Sequence, residues 1–216
     1  MAYFMRYKIS CSIKVAQDEV LWVDINNEVR KFSVQNVWDS IRPRAIAVSW
    51  FRVVWFSQCM PRHAFLVWLL MGERLKTQDK LSRWELYNGV KLSCPLFNGG
   101  PDSRSHLFFE CSYASQVWSR ASGLTIMPMT NSWRIVCSWL SHSATRNSVN
   151  IVVAKLMFGA VVYFIWQERN NRIFKKSHET EVKLFDDIFG TVRLKLLSLK
   201  FKESSYVERM KRTWHL

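Results

Sequence analysis

Near the start of the chain, apolar and polar residues alternate with a period of two. After that, a helical period takes over almost everywhere. Val20, Trp22 and Asp24, then residues 29–34, read as two short strands with Asn26-Asn27 between them as a hairpin turn. Ser33 is placed to cap a helix through Val37, Trp38 and Ile41, which must stop near Pro43. The pattern predicts a second helix over residues 49–57 that buries Phe51, Val54 and Trp55. Pro61 suits the first position of a third, which continues through Phe65, Trp68 and Leu69 towards Arg74. Thr77 is the expected cap of a fourth, with Leu81, Trp84 and Leu86 on its apolar side. Asn88-Gly89 makes a turn, and a loop rich in turn formers follows over residues 94–105.

Downstream the pattern is more uniformly helical. Residues 107–109 and 112–121 are expected to be helical, and Pro128 marks a break. Trp133, Val136, Cys137 and Leu140 then recur at helical spacing. Residues 149–174 form a long helical candidate, apolar nearly all round in its middle, as the buried centre of a bundle would be. Residues 181–201 place Leu184 or Phe185, Ile188, Val192 and Leu196 on one stripe with charges opposite. The expected fold is mainly α, a small N-terminal β-hairpin followed by a multi-helix bundle. No internal repeat of fixed period is visible.

Composition sharpens this. The chain has 216 residues, 49% hydrophobic and 22% charged, so it is no disordered basic tail. Only 7 glycines argue against glycine-rich phosphate loops, hence against a Rossmann or P-loop enzyme. Residues 151–166 are apolar except for Lys155, but they fall short of the roughly 20 residues of a membrane span and run into Gln167, Glu168 and Arg169. A core helix and no membrane partner are expected. Five scattered cysteines and no apolar leader near Met1 favour a reducing, intracellular setting, nuclear or cytoplasmic.

The formal charge of +14 is unevenly spread. Residues 1–41 are balanced, whereas residues 42–83 hold Arg42, Arg44, Arg52, Arg62, Arg74, Lys76, Lys80 and Arg83 against Glu73 and Asp79. From Cys111 to Gln167 there is no acidic residue. Such a field suits a phosphate backbone, whose binding is driven largely by counterion release. A soluble protein with a merely basic surface has the same composition.

One cluster carries metal chemistry. In Cys94-Pro-Leu-Phe97 and His106-Leu-Phe-Phe-Glu-Cys111, a cysteine at position 97 would complete a C-x2-C-x8-H-x4-C set of tetrahedral zinc donors. Around it stand Pro61-Arg-His-Ala-Phe-Leu-Val-Trp68, Arg74-Leu-Lys-Thr-Gln-Asp79, Val117-Trp118 and, upstream, Val29-Arg-Lys-Phe-Ser-Val-Gln-Asn-Val-Trp38. Taken together, these resemble the zinc-binding domain that follows the polymerase in plant LINE-type (non-LTR) retroelement reverse transcriptases. Ile165-Trp-Gln-Glu-Arg-Asn-Asn-Arg-Ile-Phe174 resembles the linker before the ribonuclease H domain of those polyproteins. The resemblance spans residues 18–176. It implies a zinc-knuckle-like loop with Cys94, His106 and Cys111 as metal ligands and zinc as a possible cofactor. It suggests four regions: an N-terminal segment 1–17, the zinc-binding-like module 18–122, a helical linker region 123–176 and an amphipathic helical tail 177–216.

Phe97 departs from the family, since a phenyl ring donates nothing to a metal and would fill the space of the missing thiolate. Cys59, His63 or Asp102 could supply a fourth donor if the fold brought one close. Otherwise Cys94 and Cys111 are buried small hydrophobes and His106 is a hydrogen-bonded core histidine. For this copy the missing ligand favours the empty site.

No catalytic constellation emerges. Asp186-Asp187 follows Phe185 directly, whereas a polymerase palm keeps one residue between its aromatic and its acidic pair, so a solvated helical face is expected. Residues 171–216 are too short and too helical for a ribonuclease H site. Cys59 and His63 show helical spacing but no activated nucleophile. Trp38, Trp50, Trp55, Trp68, Trp84, Trp118, Trp133 and Trp139 are expected mostly in the core, and Trp214 exposed. The leading expectation is a non-enzymatic, retroelement-derived module with a degenerate zinc knuckle. It would bind nucleic acid through Arg52, Arg62, Arg74, Lys76, Lys80 and Arg83, and take no small-molecule substrate. The alternatives are a protein-interaction or structural helical module, or a remnant without retained activity.

Overall fold

The computed structural model describes residues 21–23, 27–42, 46–81, 93–97, 99–130, 132–145 and 148–216. The chain divides into two compact units, residues 1–47 and 48–216. The first holds strands β1 (Leu21–Val23) and β2 (Val29–Lys31), paired antiparallel with Trp22 opposite Arg30, and helix α1 (Val34–Ile41). Asn27 adopts a left-handed φ of 63°, as a hairpin turn requires; Asn26 and Pro43 lie outside the described residues. Ser33 caps α1 as expected, its hydroxyl accepting from the Asn36 amide at 3.0 Å. The Trp22 indole donates to Ser40 at 3.2 Å, joining strand and helix.

Among its described residues, the regular structure of the second unit is helical apart from one isolated bridge. Its elements are α2 (Phe51–Val54), α3 (Pro61–Met71), α4 (Gln78–Leu81), a π-helical turn (His106–Glu110), α5 (Ser112–Gly123), α6 (Trp133–Ser143) and α7 (Val149–Asn170). A second π-helical turn (Asn171–Lys175), α8 (Glu181–Leu197) and α9 (Ser205–Trp214) complete it. The mainly α expectation and the N-terminal hairpin both hold.

Helix α7 is the axis of the bundle, and α3, α5, α8 and α9 all pack on it. Its buried residues run round the helix from Ile151 through Val162 to Ile165, matching the all-apolar sequence of that stretch. With the π turn, this helix is long and apolar enough to cross a membrane, and 67% of its apolar window lies buried inside the protein. Leu184, Ile188, Val192 and Leu196 form the buried stripe of α8. Asp186 is exposed and Asp187 pairs with Lys183 at 2.5 Å, the solvated acidic face expected of them.

Several expectations fail. Helix α2 is a single turn that buries Val53 and Val54, while Phe51 and Trp55 remain 52% and 42% exposed. Four residues can present only one narrow face to the bundle, and the two aromatics lie off it. Trp214 is 1% exposed, with its ring stacked on Phe189 at 5.0 Å, because α9 turns its apolar edge inward. Trp118 is buried, and Trp50, Trp68, Trp133 and Trp139 lean on the core half-buried, but Trp38 and Trp55 face solvent. Thr77 does not cap α4 with its side chain: its hydroxyl is buried without a partner. The Gln78 amide is instead met by the Asp102 carboxylate at 3.0 Å. Arg83, Trp84, Leu86 and the Asn88-Gly89 turn lie outside the described residues.

His63 on α3 is pressed against Gly159, where a Cβ would stand 3.4 Å from its own, and its ring stacks on Tyr163 at 4.5 Å. It lines a small cavity with Cys59, Met60, Lys155 and Leu156. Burial lowers its pKa from 6.5 to about 4. The folded chain therefore keeps the ring neutral where the unfolded chain protonates it. The resulting stability is fully present above pH 6.5 and lost as pH falls towards 4, to an extent of at most about 3 kcal/mol. Thermal unfolding between pH 7 and 4 should show this loss, and His63→Gln should flatten it; an unchanged slope in that variant excludes His63 as the cause.

Candidate metal centre

Cys94 opens a tight loop whose ends are fastened by the Ser93–Pro101 bridge and by the Cys94 amide donating to the Gly100 carbonyl at 2.7 Å. His106 and Cys111 sit at the two ends of the π-helical turn, which closes through the Cys111 amide on the His106 carbonyl at 2.7 Å. In an α-helix, residues five apart diverge around the axis. The wider π turn brings them to one side. Cys111 is also the cap residue of α5.

Cys94, His106 and Cys111 are all buried, and their donor atoms lie within 4.8 Å of one another. The two sulfurs are 3.9 Å apart. Two thiolates on one tetrahedral zinc, each about 2.3 Å from it, would stand roughly 3.8 Å apart. His106 Nε2 is buried with no hydrogen-bond partner, so this is not the satisfied core histidine that an empty site was expected to contain. The ring is held from behind by Gly100, where a Cβ would fall 2.3 Å from His106 Cε1; only glycine lets the loop lie this close.

Of the two cysteines, Cys111 is the one prepared as an anion. Cys111 is lowered to about 6, chiefly by the Cys94 thiol donating to it, with help from the Ala114 and Tyr113 amides and the charge of Arg172, against the opposing effect of burial. Cys94 is pushed upward by that same bond and by burial, while the Phe97 and Leu96 amides pull the other way. Together they hold one proton between two sulfurs. This donor set fits zinc, which would cross-link the Cys94 loop to the start of α5 and replace the shared proton.

Among the described residues no fourth donor joins them. The Asp102 carboxylate is bound by Arg169, whose Nε donates to Oδ1 at 3.0 Å and whose Nη2 reaches Oδ2. His63 and Cys59 line the cavity beside α7 instead. Phe97 does not fill the space of the absent thiolate: its ring is 54% exposed and lies over Gly99.

The residues that fix the site come from the end of α7 and the π turn beyond it. Arg172 donates to the carbonyls of Leu96 at 2.8 Å and Glu179 at 2.9 Å, pairs with Glu168 at 2.6 Å and lies 4.6 Å from the Tyr113 ring. Glu168 also accepts from the Glu179 amide at 2.9 Å. The sequence pattern marked this stretch as the polar end of an apolar helix and as part of a resemblance, without tying it to the donor loop. A sharper signal was available: two arginines and a glutamate closing a helix too apolar to be solvated.

Of the expected cationic residues, Arg52, Arg62, Arg74 and Lys76 are exposed. Lys80 is half-buried and donates to the Glu73 carbonyl. Arg83 lies outside the described residues.

Residues 32–118 match the family described as zinc-binding in reverse transcriptase, which is less than half of the chain. They include all three donors and the exposed cations. No curated protein and no solved structure matches the chain.

Removing Asp102 should be costly, because it strands a 4%-exposed arginine side chain and uncaps α4. Asp102→Ala is expected to lose about 3–5 kcal/mol in chemical denaturation. A loss below about 1 kcal/mol would mean that the pair does not fasten the loop.

Proposed function

We propose that the chain is a non-catalytic nucleic-acid-binding module whose basic surface is organised by a zinc ion held on Cys94, His106 and Cys111. The observation that carries this reading is the buried, unpartnered His106 Nε2 beside two sulfurs at tetrahedral spacing, within the stretch that matches the reverse-transcriptase zinc-binding family. Zinc here is structural: it holds the loop from which α4 and the Arg74–Lys80 segment are positioned through Asp102. The exposed guanidinium groups of Arg52, Arg62 and Arg74, with the Lys76 ammonium, then meet phosphates. The non-catalytic reading is supported by Asp186 and Asp187, which face solvent or Lys183 on α8 and gather no partner acid among the described residues. The plant LINE-type origin inferred from the motifs fits the same role, holding template RNA or target DNA near a polymerase inside the cell.

A second reading has one observation behind it. Helix α1 is strongly amphipathic yet buries no residue, with Trp38 59% and Val34 79% exposed, as a protein-docking face would be.

Two measurements test the proposal. Metal analysis of the purified protein should find one equivalent of zinc, none in His106→Ala, and tighter retention against a chelator in Phe97→Cys. Failure of both wild type and Phe97→Cys to take up zinc would sink the metal assignment. Anisotropy titrations over salt should give a log–log slope of about −3 for four phosphate contacts, reduced by roughly 1.5 in the Arg52→Ala/Arg62→Ala variant. Binding without salt dependence would rule out the cationic surface.

A further inference from the structure

Helix α3 turns Phe65 away from the core. Its buried residues are His63, Ala64, Leu66, Val67 and Leu70, so the opposite, solvent-facing side carries Arg62, Phe65 and Trp68. Phe65 is 53% exposed. Its ring lies 5.8 Å from that of Trp68 at an interplanar angle of 30°, and the Arg74 guanidinium sits 5.0 Å over the Trp68 ring. Phenyl, indole and guanidinium form a contiguous cluster, anchored through Trp68, which packs half-buried on the core. Phe65 is its solvent-exposed ring. An exposed apolar ring in a basic surface has no folding benefit of its own, and a ring already held by its neighbours costs little further ordering when a base is laid on it.

We infer that the α3 face is a stacking platform for single-stranded nucleic acid, RNA or DNA, in which an unpaired base caps Phe65 and the flanking phosphates meet Arg62 and Arg74. A duplex keeps its bases stacked on one another and offers this ring nothing but its backbone. A single strand offers a π-face at every nucleotide, and cations interleaved with aromatic rings are the chemistry that holds one without sequence preference. The inference rests on the proposed nucleic-acid-binding role and narrows it to unpaired strands.

The test is anisotropy on the full chain with labelled 20-mers of oligo(U) and oligo(dT) and a duplex of the same length, each over a salt series. Wild type should bind both single strands more tightly than the duplex. Phe65→Ala should weaken single-strand binding by about tenfold at every salt concentration, leaving the salt slope and duplex affinity unchanged. Phe65→Trp, which keeps a ring, should retain the affinity. Equal loss on strand and duplex, or no loss on either, overturns the platform while leaving cation-driven binding in place. So does a wild type that binds duplex with the expected salt slope and shows no single-strand preference. Absence of any nucleic-acid binding overturns the platform and the proposed function together.

Discussion

The buried pair of Arg169 and Asp102 is the constraint on which the second unit depends. Taking two charges out of water costs several kcal/mol per ion, and attraction offsets this only if the geometry is good and the remaining polar atoms are satisfied. Here the guanidinium approaches both carboxylate oxygens, and one oxygen also accepts the first amide of α4. The carboxylate cannot be satisfied unless the central helix, the donor loop and α4 are all in place. One interaction thus couples three elements far apart in sequence. The neighbouring Arg172–Glu168 pair extends the coupling to the Leu96 carbonyl and to the segment entering α8.

That arrangement changes how the incomplete metal centre is understood. In a small zinc domain the ion often supplies the folding free energy, and losing a ligand undoes the fold. Here the loop is also fastened by ionic hydrogen bonds from α7 and the π turn beyond it, and by its own backbone bridge. The three donors therefore stay gathered although Phe97, at the position where the spacing would set a fourth, supplies none. Gly100 shows the same economy, since the ring of His106 is positioned by the absence of a side chain opposite it.

Much of this was readable from the sequence, and the failures share a cause. The Ser33 cap, the Pro61 start, the α8 stripe and the buried α7 follow from local rules, and the structure contains them all. Periodicity fails where a helix is apolar on most of its circumference. Residues 61–71 offer two apolar faces, and only the packing of α3 on α7 decides that His63, Leu66 and Val67 go inward and Phe65 outward. For α2, a single turn is too short to show a period at all. The three donors were visible because zinc spacing is local, whereas their supports were not. Asp102 capping α4 from 24 residues away and Arg172 reaching 76 residues back to Leu96 leave no trace in any short window. Nor does sequence announce the π turn, whose reason lies in bringing His106 and Cys111 to the same side.

The fold also redistributes the meaning of the charge. A formal +14 describes the chain, but a partner meets only the cations left in water. Arg169 and Lys155 are buried, the first on Asp102 and the second donating to the Arg52 carbonyl at 3.4 Å with its pKa lowered by burial. Arg172 is occupied by the donor loop, and Arg193 by the Trp214 and His215 carbonyls at the end of α9. These four cations hold the protein together. Arg52 and Arg62 project from α2 and α3, and Arg74 lies on Trp68 at the surface. What distinguishes this exposed group is its aromatic company: Phe51, Trp55 and Phe65 lie outside the core on the same two helices. Net charge alone would predict indifferent attraction to any polyanion. Cations set among uncovered rings favour a polyanion that also presents flat apolar faces, and an unpaired nucleic-acid strand meets that description where a duplex does not.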